Sequence, residues 1–267
     1  MNVPSDWALI TGAGSGIGAA LARELATRGI GVALVGRRRD RLEQVHDGII
    51  GLSPALVVHA DIARQEDRAD LTQSVSKGLA EHGGRLKYLI HNAGVGSPSP
   101  DFMGVEPEAL AHAFAVNVTA PLALSQRFMP DLIASAPARI LFVGAGIADR
   151  PQPGTGIYGI SKKALARLFD QILADFAYEQ EPRLPYVAMF QPGMVDTEGL
   201  RAHVDAARRC KLPHSEYLAA AINDGKARRP GDVASAMAKA LVELSSPDYH
   251  GQTLSPSLLS GGSSSNS

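Results

Sequence analysis

Short apolar runs alternate with longer amphipathic segments along the whole chain. The runs WALIT (7–11), GVALVG (31–36), ALVVHA (55–60), LKYLIH (86–91), RILFVG (139–144) and PYVAMF (185–190) are nearly continuous in apolar residues. Strands buried on both faces of a parallel sheet read this way, whereas a sheet with one wet face alternates strictly. Residues 16–28, 64–81, 106–134, 158–180 and 231–245 separate these runs and carry apolar positions at helical spacing. Strand-helix alternation with right-handed crossovers predicts an α/β, doubly wound sheet with helices on both faces. A short strand at GQTL (251–254) makes seven strands, mainly parallel, in a single domain over residues 1–254. The remainder, 255–267, reads SPSLLSGGSSSNS and is expected to form a flexible Ser/Gly-rich tail.

Composition narrows the partners. A chain of 267 residues suits one large α/β domain. Its 26 basic and 27 acidic side chains give no electrostatic case for nucleic acid or an anionic membrane. A lone cysteine, Cys210, cannot form an internal disulfide, which fits a reducing compartment. The start, MNVPSDWALI, lacks the pattern of a signal peptide, and no apolar run approaches the roughly 20 residues that span a bilayer. A cytoplasmic location is therefore expected. The eight histidines show no paired metal-ligand spacing, so no metal site is expected.

The first candidate chemistry lies where the first strand meets the first helix, in TGAGSGIG (11–18). Gly12, Gly16 and Gly18 permit a tight turn, and the N–H groups around Ser15, Gly16 and Ile17 can face a pyrophosphate at the helix start. The second strand then ends Gly36-Arg37-Arg38-Arg39, with no acid before Asp40. An acid there would suit a free ribose 2′-hydroxyl; arginine suits a 2′-phosphate, which accepts a bidentate guanidinium. Cations at a helix N-terminus oppose the macrodipole by about 0.3–1 kcal/mol each, so a solvated basic patch is the weaker reading. Arg37 is the best candidate, with Arg38 assisting, and NADP(H) is favoured over NAD(H). Asp61, followed by Ile62, is placed to accept from an adenine amino group, or simply to cap a turn. Asn92-Ala93-Gly94 closes the fourth strand and either lets the backbone approach a cofactor or stabilises a turn.

Tyr158 and Lys162 lie one turn apart on the same face of a helix. A phenol with a pKa of about 10 is a poor proton exchanger at neutral pH. A neighbouring ammonium favours the phenolate and is expected to lower that value.

In order and spacing, TGAGSGIG (11–18), HNAG (91–94), Asn117 in VNVTAP, YGISK (158–162) and PGMVDT (192–197) resemble the short-chain dehydrogenase/reductase family over about residues 5 to 254. The resemblance implies a Rossmann-type sheet and hydride transfer between a nicotinamide and a carbonyl or alcohol. It implies that Tyr158 is the acid/base and that Lys162 orients the ribose and lowers the tyrosine pKa. Asn117 would hold a water in the proton relay. Pro192, Gly193, Val195 and Thr197 would wrap the nicotinamide. Arg37 is similar to the NADP-preferring members. The stretch 141–173 is more loosely similar to sepiapterin and benzil reductase types.

One residue departs from the family. Its catalytic Ser position is Ala145, flanked by Gly144 and Gly146, so no nearby register supplies a hydroxyl. Three accounts follow: an introduced replacement of a natural Ser, a natural reductase using Thr155, water or a substrate hydroxyl, or a cofactor-binding sensor or scaffold with little catalysis. The expected substrate is a small carbonyl compound. Segments 95–102, 145–155 and 194–217 should face it, and Val95, Phe102, Ile147, Met194, Leu200 and Tyr217 suggest an apolar ketone. Apolar stripes on 106–134 and 158–180, with the family's pairing through a four-helix bundle, predict a homodimer. Pro256 disfavours a tetramer built on the last strand.

Overall fold

In the computed structural model, seven strands line up in the order β3-β2-β1-β4-β5-β6-β7 and every neighbouring pair is parallel. They are β1 (Asp6–Thr11), β2 (Gly31–Gly36), β3 (Ala55–His59), β4 (Arg85–His91), β5 (Arg139–Val143), β6 (Tyr186–Phe190) and β7 (Thr253–Leu254). The structure describes residues 6–179 and 181–260, with only the backbone of Ser260. The helices are α1 (Gly16–Thr27), α2 (Arg39–Asp47), α3 (Gln65–Glu81), α4 (Pro107–Phe114), α5 (Ala120–Ala134), α6 (Gly156–Glu179), α7 (Glu198–Arg209), α8 (His214–Asn223), α9 (Pro230–Val242), α10 (Ser246–Tyr249) and α11 (Pro256–Ser260).

Alternation along each strand feeds two cores. In β1, Ala8 and Ile10 join a cluster with Leu21 and Leu25 of α1, Leu42 of α2 and Met237 of α9. Trp7 and Leu9 point the other way, to Leu71 of α3, Phe128 of α5 and Phe169 of α6. Each such fully buried side chain contributes about 1.5–3 kcal/mol. Because both faces are covered, the strands need apolar residues at every position, which is why they read as continuous runs. The strand order reverses between β1 and β4, and that reversal leaves a crevice at their carboxyl ends.

Three local differences from the sequence reading have physical causes. The expected helix over 106–134 is interrupted by a π-helical turn, Ala115–Thr119. Pro121 has no N–H to donate to the Asn117 carbonyl one turn back, so the regular ladder breaks at Asn117. The segment after β6 is a helical hairpin, α7 and α8. Of the expected tail, Pro256–Ser260 is instead helical: Leu259 packs beside the first core and Lys239 Nζ donates to the Leu259 carbonyl at 3.2 Å. Residues 261–267 lie outside the described residues. Of the stripe residues, Leu124, Phe128, Leu165 and Phe169 are fully committed to the core, while Leu168, Ile172 and Phe176 remain partly buried and Leu122 is exposed.

Candidate active site

The Gly-rich turn between β1 and α1 is held by the end of β4. Asn92 Nδ2 donates to the Thr11 carbonyl at 2.9 Å, and Thr11 Oγ1 receives the Asn92 and Ala93 N–H groups at 3.1 Å each. Gly12 and Gly16 have φ of +69° and +54°, a region that favours glycine. At Gly18 a Cβ would run into the Gly12 carbonyl and come within 2.6 Å of Asn92 Nδ2. Ser15 is the N-cap of α1 but makes no side-chain cap bond, and the first turn carries no acid. An anion-accepting helix start with a glycine floor fits a dinucleotide pyrophosphate. Asn92 is thus a structural staple of the turn, as the structural reading of HNAG expects.

The basic cluster lies at the mouth of this turn. Arg38 is the side chain that touches it, donating Nη2 to Ser15 Oγ at 2.9 Å. Arg37 is exposed at the end of β2, and its carbonyl lies 3.1 Å from His59 Nε2. Asp61 does cap a turn: Oδ1 accepts from the Ala63 N–H at 3.1 Å, while the Asp61 N–H donates to Asp67 Oδ2 at 2.7 Å. Ile62 is buried beneath it.

Tyr158 and Lys162 stand in the first turns of α6, and both meet the β4 loop. A Cβ on Gly94 would sit 3.2 Å from Lys162 Nζ, and one on Gly96 would sit 2.6 Å from the Tyr158 Cβ. Asn117, fully buried in the π turn, accepts from the Val95 N–H at 2.9 Å and donates to the Val95 carbonyl at 2.7 Å. It also donates to Ser161 Oγ at 2.8 Å, which ties α5 to α6.

One electrostatic expectation is reversed. Lys162 Nζ donates to the Val143 carbonyl at 2.8 Å and lies 5.7 Å from the Tyr158 ring centroid. Tyr158 is half-buried, and desolvation of its phenol pushes it up, from 10.0 to about 12. Burial moves Lys162 the other way, to about 8, because it penalises the cation. In the chain alone, then, Lys162 does not lower the tyrosine value.

Ala145 begins the turn after β5 in extended backbone, φ −156° and ψ 138°, ahead of a 3-10 turn over Gly146–Ala148. Thr155, three residues before Tyr158, is buried and donates to the Gln152 carbonyl at 2.8 Å. In the segment expected to wrap a nicotinamide, Gly193 has φ +73° after Pro192, and Val195 bridges to Arg228. Thr197 caps α7 by accepting the Leu200 N–H at 3.1 Å, and its Cγ2 lies 3.1 Å from where a Gly16 Cβ would be. Of the apolar residues expected to face a substrate, Phe102 and Tyr217 are exposed.

Several residues here carry no local signal in the sequence. Glu198, first in α7, pairs with Arg38 at 3.3 Å and Arg41 at 3.5 Å across the Gly-rich turn. His203 and His214, eleven residues apart, bring their Nε2 atoms within 3.3 Å between α7 and α8. Spacing alone misses this pair, although among the described residues no group of three His, Cys, Asp or Glu gathers as a metal site. His91 is buried against Phe142 with Nε2 2.9 Å from Ser125 Oγ, and burial holds it neutral at about 3.

A Rossmann-type sheet with a Gly-rich turn, a Tyr-Lys pair and a buried Asn defines a dinucleotide-binding oxidoreductase. The short chain dehydrogenase family model matches residues 6–207, and the chain belongs to that family. It is 31% identical over 206 residues to 11-beta-hydroxysteroid dehydrogenase-like 3 of Arabidopsis thaliana, covering 76% of this chain and 63% of that protein. The chain thus spans under two thirds of that relative's length. It is 33% identical over 195 residues to sulfoacetaldehyde reductase 2 of Chromohalobacter salexigens, covering 73% and 74% of the two chains. Among solved structures, a 3-ketoacyl-(acyl-carrier-protein) reductase from Brucella melitensis, complexed with NADH, superposes with a TM-score of 0.78 at 26% identity, covering 95% and 97%. The angucycline C-6 ketoreductase LanV with bound NADP gives 0.77 at 26% identity, covering 96% and 95%. Among the described residues no helix is long and apolar enough to cross a membrane.

Proposed function

We propose that this chain is a cytoplasmic, NADPH-dependent reductase of a small carbonyl compound. The observation that carries this reading is the meeting of Tyr158, Lys162 and Asn117 around the Gly94–Gly96 loop at the switch point of the sheet. The Gly12–Gly18 turn would hold the pyrophosphate, Arg37 and Arg38 the 2′-phosphate, Asp61 and Ile62 the adenine, and Pro192–Thr197 the nicotinamide end. When bound, the nicotinamide supplies a hydride.

The chain's own part is to position and to move a proton. Tyr158 holds the proton that a reduced carbonyl oxygen takes up. A value pushed up to about 12 keeps it protonated at neutral pH, the form a reductase needs. Lys162, lowered to about 8, is the group that can return a proton toward Tyr158, and Asn117 would hold a water in that relay. The Ala145 position offers no side-chain donor to the developing oxyanion, which favours slow turnover. A cofactor-binding sensor is the second reading, and the same substitution supports it.

The test is consumption of NADPH over a panel of aldehydes and ketones, alongside cofactor titration by fluorescence. NADPH should bind more tightly than NADH, and Tyr158→Phe should bind NADPH yet reduce nothing. If neither wild type nor Ala145→Ser consumes NADPH with any carbonyl, the reductase reading fails and the sensor reading replaces it. A homodimer through the outer faces of α5 and α6 is part of this proposal.

A further inference from the structure

A cleft of about 340 Å³ opens beside the carboxyl ends of β5 and β6. It is lined by Gly146 next to the Ala145 position, by Pro192 and Gly193 on the nicotinamide side, and by Arg150, Arg228 and Ser257. The volume is at the small end of ligand pockets, which run from about 300 to 1,000 Å³.

Its charge is the informative feature. Two guanidiniums face one carboxylate, Asp149, and that carboxylate is already engaged by Lys163 Nζ at 2.6 Å. Arg228 is also built into place. Its N–H donates to the Met194 carbonyl and its own carbonyl receives the Asp196 N–H, both at 2.9 Å. Nη2 donates to Ser257 Oγ at 2.8 Å, and Nε lies 3.9 Å from where a Gly193 Cβ would be. A guanidinium has five donors in a fixed fork, and that geometry matches a carboxylate or sulfonate. The cleft shares no lining residue with the pocket at Gly14–Gly16, Arg41 and Glu198, where Arg38 meets Ser15.

We propose that Arg228, assisted by Arg150, selects a carbonyl substrate that carries an anionic group, a carboxylate or a sulfonate, held in this cleft while the carbonyl faces Tyr158. This rests on the reductase reading and replaces the apolar ketone suggested by the residues of the surrounding loops.

Two measurements test it together. The first compares kcat/KM for succinic semialdehyde, its methyl ester and the sulfonate of equal length, in wild type, Arg228→Gln, Arg228→Lys and Arg150→Gln. Wild type should prefer the anions over the ester by about 10- to 100-fold, the range that a hydrogen bond to a charged group supports. Arg228→Gln should collapse that ratio through KM, Arg228→Lys should restore part of it, and Arg150→Gln should reduce it by less. The ratio between carboxylate and sulfonate identifies the favoured anion.

The second is calorimetric titration of succinate, which has no carbonyl to reduce, into the NADP-loaded protein. Binding that weakens at least tenfold in Arg228→Gln supports the anion site even if no aldehyde is turned over, and the carbonyl panel with Ala145→Ser then decides the reductase reading separately. Aldehyde turnover without anion preference, and succinate binding indifferent to Arg228→Gln, overturn the proposal and leave the reductase reading standing. A loss of NADPH affinity that matches the loss of succinate affinity makes Arg228 a cofactor contact and also overturns it. Circular dichroism of each variant checks that the fold is intact, and Arg228→Lys keeps the test open if Arg228→Gln unfolds.

Discussion

Restoring a hydroxyl at position 145 is the most informative single change. Ala145 has extended backbone that serine adopts freely, and it is only partly buried, so Ala145→Ser needs no rearrangement. A donor aimed at a developing oxyanion is worth about 2.7–4 kcal/mol, or a hundred- to thousandfold in kcat. Thr155 can offset little of this in the parent chain. Its hydroxyl already donates to the Gln152 carbonyl, and breaking that bond costs about 0.5–1.5 kcal/mol before any gain. The net expectation is a rise of about a hundredfold in kcat on a working carbonyl at saturating NADPH. NADPH affinity, measured by fluorescence titration, should change by less than about twofold, because the loops proposed to hold the pyrophosphate and adenosine are others. Stopped-flow turnover of parent, Ala145→Ser, Thr155→Val and the double variant separates the possibilities. Fast turnover in the parent with no gain from Ala145→Ser would refute the reasoning. A large loss in Thr155→Val would then name the donor that the geometry of Thr155 argues against.

Other consequences follow from the same geometry. Glu198→Gln should free Arg38 and Arg41, tightening NADPH up to about fivefold while leaving NADH unchanged, since exposed pairs are worth about 0–1 kcal/mol; equal shifts for both cofactors would contradict a 2′-phosphate at Arg38. Lys162→Met should abolish reduction yet raise the thermal midpoint at pH 7. The folded lysine sits at about 8 against 10.5 for the free group, a penalty of about 3 kcal/mol on the cation, less the lost bond to Val143. Below pH 8 both states are protonated and that penalty is complete. Between pH 8 and 10.5 the unfolded chain holds the extra proton, so wild-type stability rises with pH and the variant's advantage should fade. A variant less stable than wild type at pH 7 would show that the Val143 bond dominates. Light scattering at micromolar concentration should give a dimer, and Leu122→Arg on the exposed face of α5 should shift it toward monomer; a wild-type monomer would end that reading.

Much of the architecture is local and therefore legible. Strands buried on both faces must be apolar throughout, so their positions in the sequence agree with β1 to β7 within a residue or two. The glycines of TGAGSGIG announce a turn because their φ values and the Gly12–Gly18 contact exclude a side chain. Tyr158 and Lys162 share a face because helical period alone puts residues four apart together.

What tertiary structure decided depends on residues far apart in the chain. Asn92 reads as a turn residue until Thr11, 81 positions away, is seen to receive its amide. The pKa order of Tyr158 and Lys162 follows from desolvation in the folded chain, and it opposes the shift that spacing suggests. Glu198, Arg228 and the His203–His214 pair acquire partners only when α7, α8 and the segment beyond them fold back over the strand ends. Sequence by itself determines which chemistry is available at this crevice, because the strand, turn and helix patterns that bring it there are short-range. Which charges line the cleft beside β5 and β6 is a property of distant side chains converging on one place, and no short-range pattern encodes that convergence.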